Sequence, residues 1–132
     1  MGGSLWPLEE LGGVRIGSAL DEVTTRRLGL RLDDSEDDEE GCETWVDPTG
    51  DLDLVTCGGV IAMVNARASA RVRDAELIGL TEADVSALLG ASTKVDPLSD
   101  SWSYTSGPWD LLVGFFEGRV TWANLSNGDL FP

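Results

Sequence analysis

Apolar and polar residues change their spacing several times along this chain, and each change marks an element. Across residues 19–28 and again across 82–89 the apolar positions recur at helical intervals, with Val85, Leu88 and Leu89 on one face of the second segment. Ser18 with Asp21, and Thr81 with Asp84, stand at capping-box spacing, where a hydroxyl accepts from a first-turn N–H and a carboxylate sits at the positive helix end. Gly29 and Gly90 fall where a left-handed residue closes a helix. Both helices are short, so they need a sheet to pack on.

Strand-like runs follow each helix. After the first they cover residues 44–46, 52–56 and 60–65, with Gly58-Gly59 ahead of the third run. After the second they cover 101–105, 109–116 and 119–125, broken by Ser106-Gly107-Pro108 and by Glu117-Gly118. The residues at 111–116 are apolar on both sides of the strand, so the pattern alone does not say which face is buried.

The two halves share a pattern. Ile16-Gly17 is followed by Val23 and then Leu28-Gly29; Ile78-Gly79 is followed, at the same spacing from the isoleucine, by Val85 and then Leu89-Gly90. This reads as a tandem duplication. The predicted class is α+β, two tandem helix-plus-antiparallel-sheet units forming one domain. Its divisions are a leader or tag at 1–13, a first unit at 14–66, a linker at 67–74, a second unit at 75–126 and a tail at 127–132. Arg67, Arg71 and Arg73 lie in the linker, and their charge is available to pair with the acidic run at 33–40.

Composition narrows the function. The chain of 132 residues has a formal charge of −15 and no histidine. Such a field repels phosphate backbones and anionic lipid, so nucleic acid is not the expected ligand. The acidity serves solubility, attraction of a basic partner, or mimicry of nucleic acid. No apolar stretch is long enough to span a bilayer, and Met1-Gly2-Gly3-Ser4 has the look of an expression leader replacing a signal peptide.

Cys42 and Cys57 flank the turn-rich segment Asp47-Pro48-Thr49-Gly50-Asp51, which folds them back toward each other in a hairpin. A disulfide there closes a loop of about 15 residues and implies an oxidising compartment. The alternative is two buried free thiols. A metal site is not expected, because there is neither a histidine nor a second cysteine pair.

The Ile-Gly opening, the Leu-Gly close of the helix and the meander ending in Phe116-Glu117-Gly118-Arg119-Val120 resemble the small envelope lipoproteins of the barrel-assembly machine, which have one such unit. The tandem version resembles the beta-lactamase inhibitor protein family, in which Gly41-Cys42-Glu43-Thr44-Trp45 up to Cys57 is similar to the disulfide loop of the first repeat. The chain departs from that family in having no cysteine pair in its second half. The resemblance implies a secreted or envelope protein with an exposed sheet face for a protein partner.

Four of the five tryptophans lie in or beside predicted strands. Trp45, Trp102, Tyr104, Trp109 and Trp122 are therefore the candidate partner-binding residues, since aromatic rings give large contact area at low entropic cost. Core packing is their other use. Alternation places Trp102 with Tyr104 on one face, and Val120 with Trp122 on one face.

The run Asp33-Asp34-Ser35-Glu36-Asp37-Asp38-Glu39-Glu40 reads as a solvated loop. Its match to a calcium loop fails chemically, with Glu where a short Asp belongs first and Asp47 where a bidentate Glu belongs last. Without a histidine, a phosphate loop or a nucleophile elbow, no catalytic residues and no cofactor are expected. The expected function is a non-catalytic secreted or envelope protein-binding module, for which the resemblance implies an inhibitor; the alternatives are an acidic nucleic-acid mimic and a small structural component of an envelope assembly.

Overall fold

The backbone of the protein is organised by one large antiparallel sheet. The structure, a computed structural model, describes residues 6–33, 41–96, 98 and 100–132. Two short hairpins stand outside the sheet: β1 (Glu10–Leu11) with β2 (Val14–Arg15), and β7 (Arg71–Val72) with β8 (Ala75–Glu76). The helices are α1 (Glu22–Leu28) and α2 (Glu82–Leu89). The remaining strands are β3 (Arg31–Leu32), β4 (Cys42–Val46), β5 (Leu52–Cys57), β6 (Val60–Ala66), β9 (Lys94–Asp96), β10 (Ser101–Ser106), β11 (Trp109–Phe116) and β12 (Arg119–Asn127). They form a single sheet in the order β3-β4-β5-β6-β12-β11-β10-β9.

This corrects the expected fold class. Strands hold 47% of the described residues and helices 15%, and the strands after each helix do not close into separate helix-plus-sheet units. The reason is the pairing of β6 with β12, Ala66 opposite Ala123 and Val64 opposite Leu125, which makes the two meanders one continuous sheet. A three-stranded meander has two open edges, and joining them here satisfies a row of ladder groups that water would otherwise have to take.

Each Ile-Gly motif clamps the chain to this sheet. The N–H of Gly17 donates to the Ile61 carbonyl at 2.7 Å, and the N–H of Ile61 to the Ser18 carbonyl at 2.9 Å. Gly79 and Val120 make the corresponding bond at 2.9 Å, as do Val120 and Leu80. Both glycines have φ near +90°, a conformation that side chains resist, which is why glycine stands at each.

α2 occupies the expected residues, with the Thr81–Asp84 capping box formed. α1 starts later than the 19–28 pattern suggested. Ala19 bridges to Val60 and the Ser18 hydroxyl donates to the Arg15 carbonyl, so Asp21 becomes the N-cap and accepts from the Thr24 N–H at 2.7 Å. That bond and the Thr24 hydroxyl hold the Asp21 carboxyl below its ordinary pKa. The caps also put Val23 and Val85 two positions out of step: Val23 is 73% exposed, whereas Val85 is fully buried. Leu88, expected inward with Val85 and Leu89, is 45% exposed.

One face of the sheet carries the core. Trp45, Leu54, Val64, Leu125, Leu111 and Tyr104 stand opposite one another across six strands, with Leu52, Ala66, Ala123, Val113 and Trp102 in the neighbouring row. Val85 and Leu89 of α2 pack there, joined by Leu11 and Val14 of the first hairpin and by Val72 and Leu77 around the second. Segments read as leader and linker contribute to this core. Within the leader at 1–13, Leu8 and Leu11 are buried core residues, and within the linker at 67–74, Ala70 and Val72 are.

Candidate functional site

Among the described residues the opposite face of the sheet carries neither α-helix nor outlying hairpin, only a single 3-10 turn at Gly128–Leu130 over one corner. Its central row is Val46, Asp53, Asn65, Asn124, Leu112 and Ser103, and the adjoining row is Thr44, Val55, Met63, Ser126, Asp110 and Thr105. Most of these side chains are partly exposed, crowded by one another rather than covered. A shallow depression of about 430 Å³ opens among Asp33, Thr44, Val46, Asp53, Val55, Met63, Asn65 and Asn124. The chain end covers only one corner, where Leu130 and Phe131 pack on Cys42, Cys57 and Ala62.

The cysteines face each other directly in β4 and β5 and form a disulfide. The turn that brings them together is held by the Gly50 N–H on the Asp47 carbonyl and the Thr49 N–H on the Asp47 carboxylate. The free-thiol alternative is thereby removed.

The five candidate aromatic residues do not form one surface. Trp122 is on the open face, paired with Gly114. Trp45, Trp102, Tyr104 and Trp109 are on the core side. Tyr104 is 3% exposed and its hydroxyl donates to the Gly90 carbonyl at the end of α2. Burial pushes its phenol pKa up. Trp102 packs on Phe115 with ring centroids 4.8 Å apart, and Trp109 lies 6.3 Å from Trp6. Trp45 donates its indole N–H to the Thr56 hydroxyl at 3.2 Å and borders a wide hollow of about 660 Å³ beside α1.

Trp102 and Tyr104 share a face, as alternation predicts. Val120 and Trp122 do not. The register between β11 and β12 shifts at Gly114/Phe115, so that Phe115 faces Val120 while Gly114 faces Trp122, and Thr121 is the extra residue. A bulge of this kind reverses the side-chain parity of everything beyond it. It sends Val120 into the core at 1% exposure and turns Trp122 outward.

Met63, Asn65, Asn124, Leu112 and Asp53 are the open-face residues that aromatic content did not flag. Their signal was alternation: Met63 and Asn65 flank the buried Val64, and Asn124 falls between the buried Ala123 and Leu125.

Elsewhere the polar groups serve the fold. Glu76 crosses the base of the β7–β8 hairpin and accepts from the Ser69 hydroxyl and from the N–H groups of Ala70 and Ile78. Burial opposes its charge, yet those three bonds together leave its pKa below the usual value. Among the described residues, Arg67 pairs with Asp53 at 3.1 Å, and Arg71 and Arg73 donate to the carbonyls of Asp74 and Pro7. The acidic run beyond Asp33, residues 34–40, lies outside the described residues. No described helix is long and apolar enough to cross a membrane.

Comparison with protein-family models, with curated proteins and with solved structures found no match.

Proposed function

We propose that this chain is a protein-binding module of the beta-lactamase-inhibitor type, acting in an extracellular or envelope compartment, and that the open face of its sheet is the recognition surface. One observation carries the reading: a broad sheet face left largely uncovered among the described residues, on which apolar Val46, Val55, Met63, Leu112 and Trp122 stand among uncharged polar Asn65, Asn124, Ser103 and Thr105, with Asp53 and Asp110 its charged members in these rows. Sheets that face only water tend toward charged and short polar side chains, whereas half-exposed Leu, Met and Trp in one patch suit a protein contact. Eight paired strands hold the patch rigid, so little ordering entropy opposes binding.

The cross-strand disulfide supports an oxidising compartment. A charge of −15 favours encounter with a basic partner. Trp122 is the expected anchor, since a central aromatic residue carries a disproportionate share of binding energy.

A steady-state assay of class A beta-lactamases titrated with the protein to micromolar concentration tests the inhibitor reading. Dose-dependent inhibition that Trp122→Ala weakens is the expected result. Activity unchanged across the whole panel overturns the inhibitor assignment.

A further inference from the structure

The depression on the open face has a chemistry that its position does not require. One wall is apolar, from Val46, Val55 and Met63; its floor presents Asp53, Asn65 and Asn124 in register on three neighbouring strands. The Asn124 amide donates to the Asn65 side-chain oxygen at 3.5 Å. Asp53 places one carboxylate oxygen on Arg67, and its other oxygen, Oδ1, is shielded from water with no donor among the described residues. A carboxylate oxygen stripped of water without a hydrogen bond is costly, and a modest turn of the side chain would offer it to an incoming donor. Among the described residues no lysine or arginine lines the depression.

Resting on the reading of the open face as the recognition surface, we propose that the partner inserts a lysine or arginine side chain here, its aliphatic stem against Val46, Val55 and Met63 and its cationic head on the Asp53 carboxylate. Long cationic side chains are amphipathic in this way, burying a stem while their charge meets an acceptor. The charge of the whole chain works in the same direction.

The test selects short random peptides by display against the full chain and measures their affinity for four proteins: wild type, Asp53→Asn, Trp122→Ala and, as a charge-matched control on α2, Glu82→Gln. The expected binders contain a Lys or Arg whose replacement by norleucine abolishes binding, and they weaken at least about tenfold on Asp53→Asn but not on Glu82→Gln. In the wild-type protein, which needs no variant to fold, such a peptide must also shift the side-chain amide resonances of Asn65 and Asn124. Binders lost on Trp122→Ala yet indifferent to Asp53→Asn overturn this inference and leave the recognition surface in place. Equal weakening by Asp53→Asn and Glu82→Gln overturns it too, because only net charge is then being felt. Binders indifferent to both Trp122→Ala and Asp53→Asn overturn the inference and the surface together.

Discussion

The indole of Trp122 occupies the space over Gly114: a Cβ built on that glycine would lie 1.9 Å from the indole Cε2 and Nε1 atoms. The two residues are cross-strand partners on the open face, directly beside the bulge that turns Trp122 outward. Glycine is needed there for room, and the ring in turn covers a backbone that would otherwise be bare.

Gly114→Ala is therefore expected to cost about 1–3 kcal/mol and to displace the indole from its seat. In a Trp122→Ala background the same substitution becomes nearly neutral. Denaturant unfolding of the two single variants and the double variant measures the coupling; additive effects would show that the two residues do not share the space.

Glu76 gives a pH dependence. Its pKa is depressed in the folded state, so its contribution is present above the unfolded carboxylate value and is lost as pH falls through the lower folded value. Glu76→Gln should lower stability by about 1 kcal/mol or less near neutral pH, since solvent screens the exposed carboxylate, with the difference from wild type shrinking in acid as the native carboxylate protonates. Melting curves across the acid range check this; a constant difference would mean that the side chain's charge is irrelevant to the hairpin.

The Cys42–Cys57 disulfide closes a loop with a sequence separation of 15, worth about 3 kcal/mol in the chain-entropy model. Cys42→Ala/Cys57→Ala is expected to lose stability of that order, and the native protein to have an intact mass two units below its reduced form. A native mass that does not change on reduction would contradict the bond.

Tyr104→Phe removes the hydrogen bond that ties β10 to the end of α2 at Gly90, leaving the ring in place. The expected loss is about 1 kcal/mol, seen in unfolding midpoints, with partner binding unchanged. Trp102→Ala, which strips a ring from Phe115 and the core, should destabilise the fold rather than act on binding alone.

The local elements were legible in the sequence where one pattern ran without interruption. The second helix and the strand Trp109–Phe116 have the predicted bounds, because the Thr81–Asp84 cap and the Gly107 and Gly118 turns mark their ends chemically. The architecture was not legible. The β6–β12 pairing joins residues about sixty positions apart, and nothing local in Val64 or Leu125 announces which edge each strand will meet. The face of one residue was misread: period-two alternation put Trp122 with Val120, and the bulge at Thr121 reversed it. Aromatic content marked Trp122 but also four side chains on the core side, since ring size serves packing and binding alike.

The most direct measurement compares surface variants on opposite sides of the sheet. Trp122→Ala/Leu112→Ala on the open face and Leu88→Ala on the helix side are each assayed for unfolding and for affinity toward the most strongly inhibited beta-lactamase, or toward the tightest display-selected binder where no enzyme responds. The open-face variant should keep a cooperative unfolding transition and lose about 2 kcal/mol or more of binding, while Leu88→Ala binds as wild type does. Binding retained by the folded open-face variant and lost by Leu88→Ala would place recognition on the helix side and contradict the assignment of the sheet face.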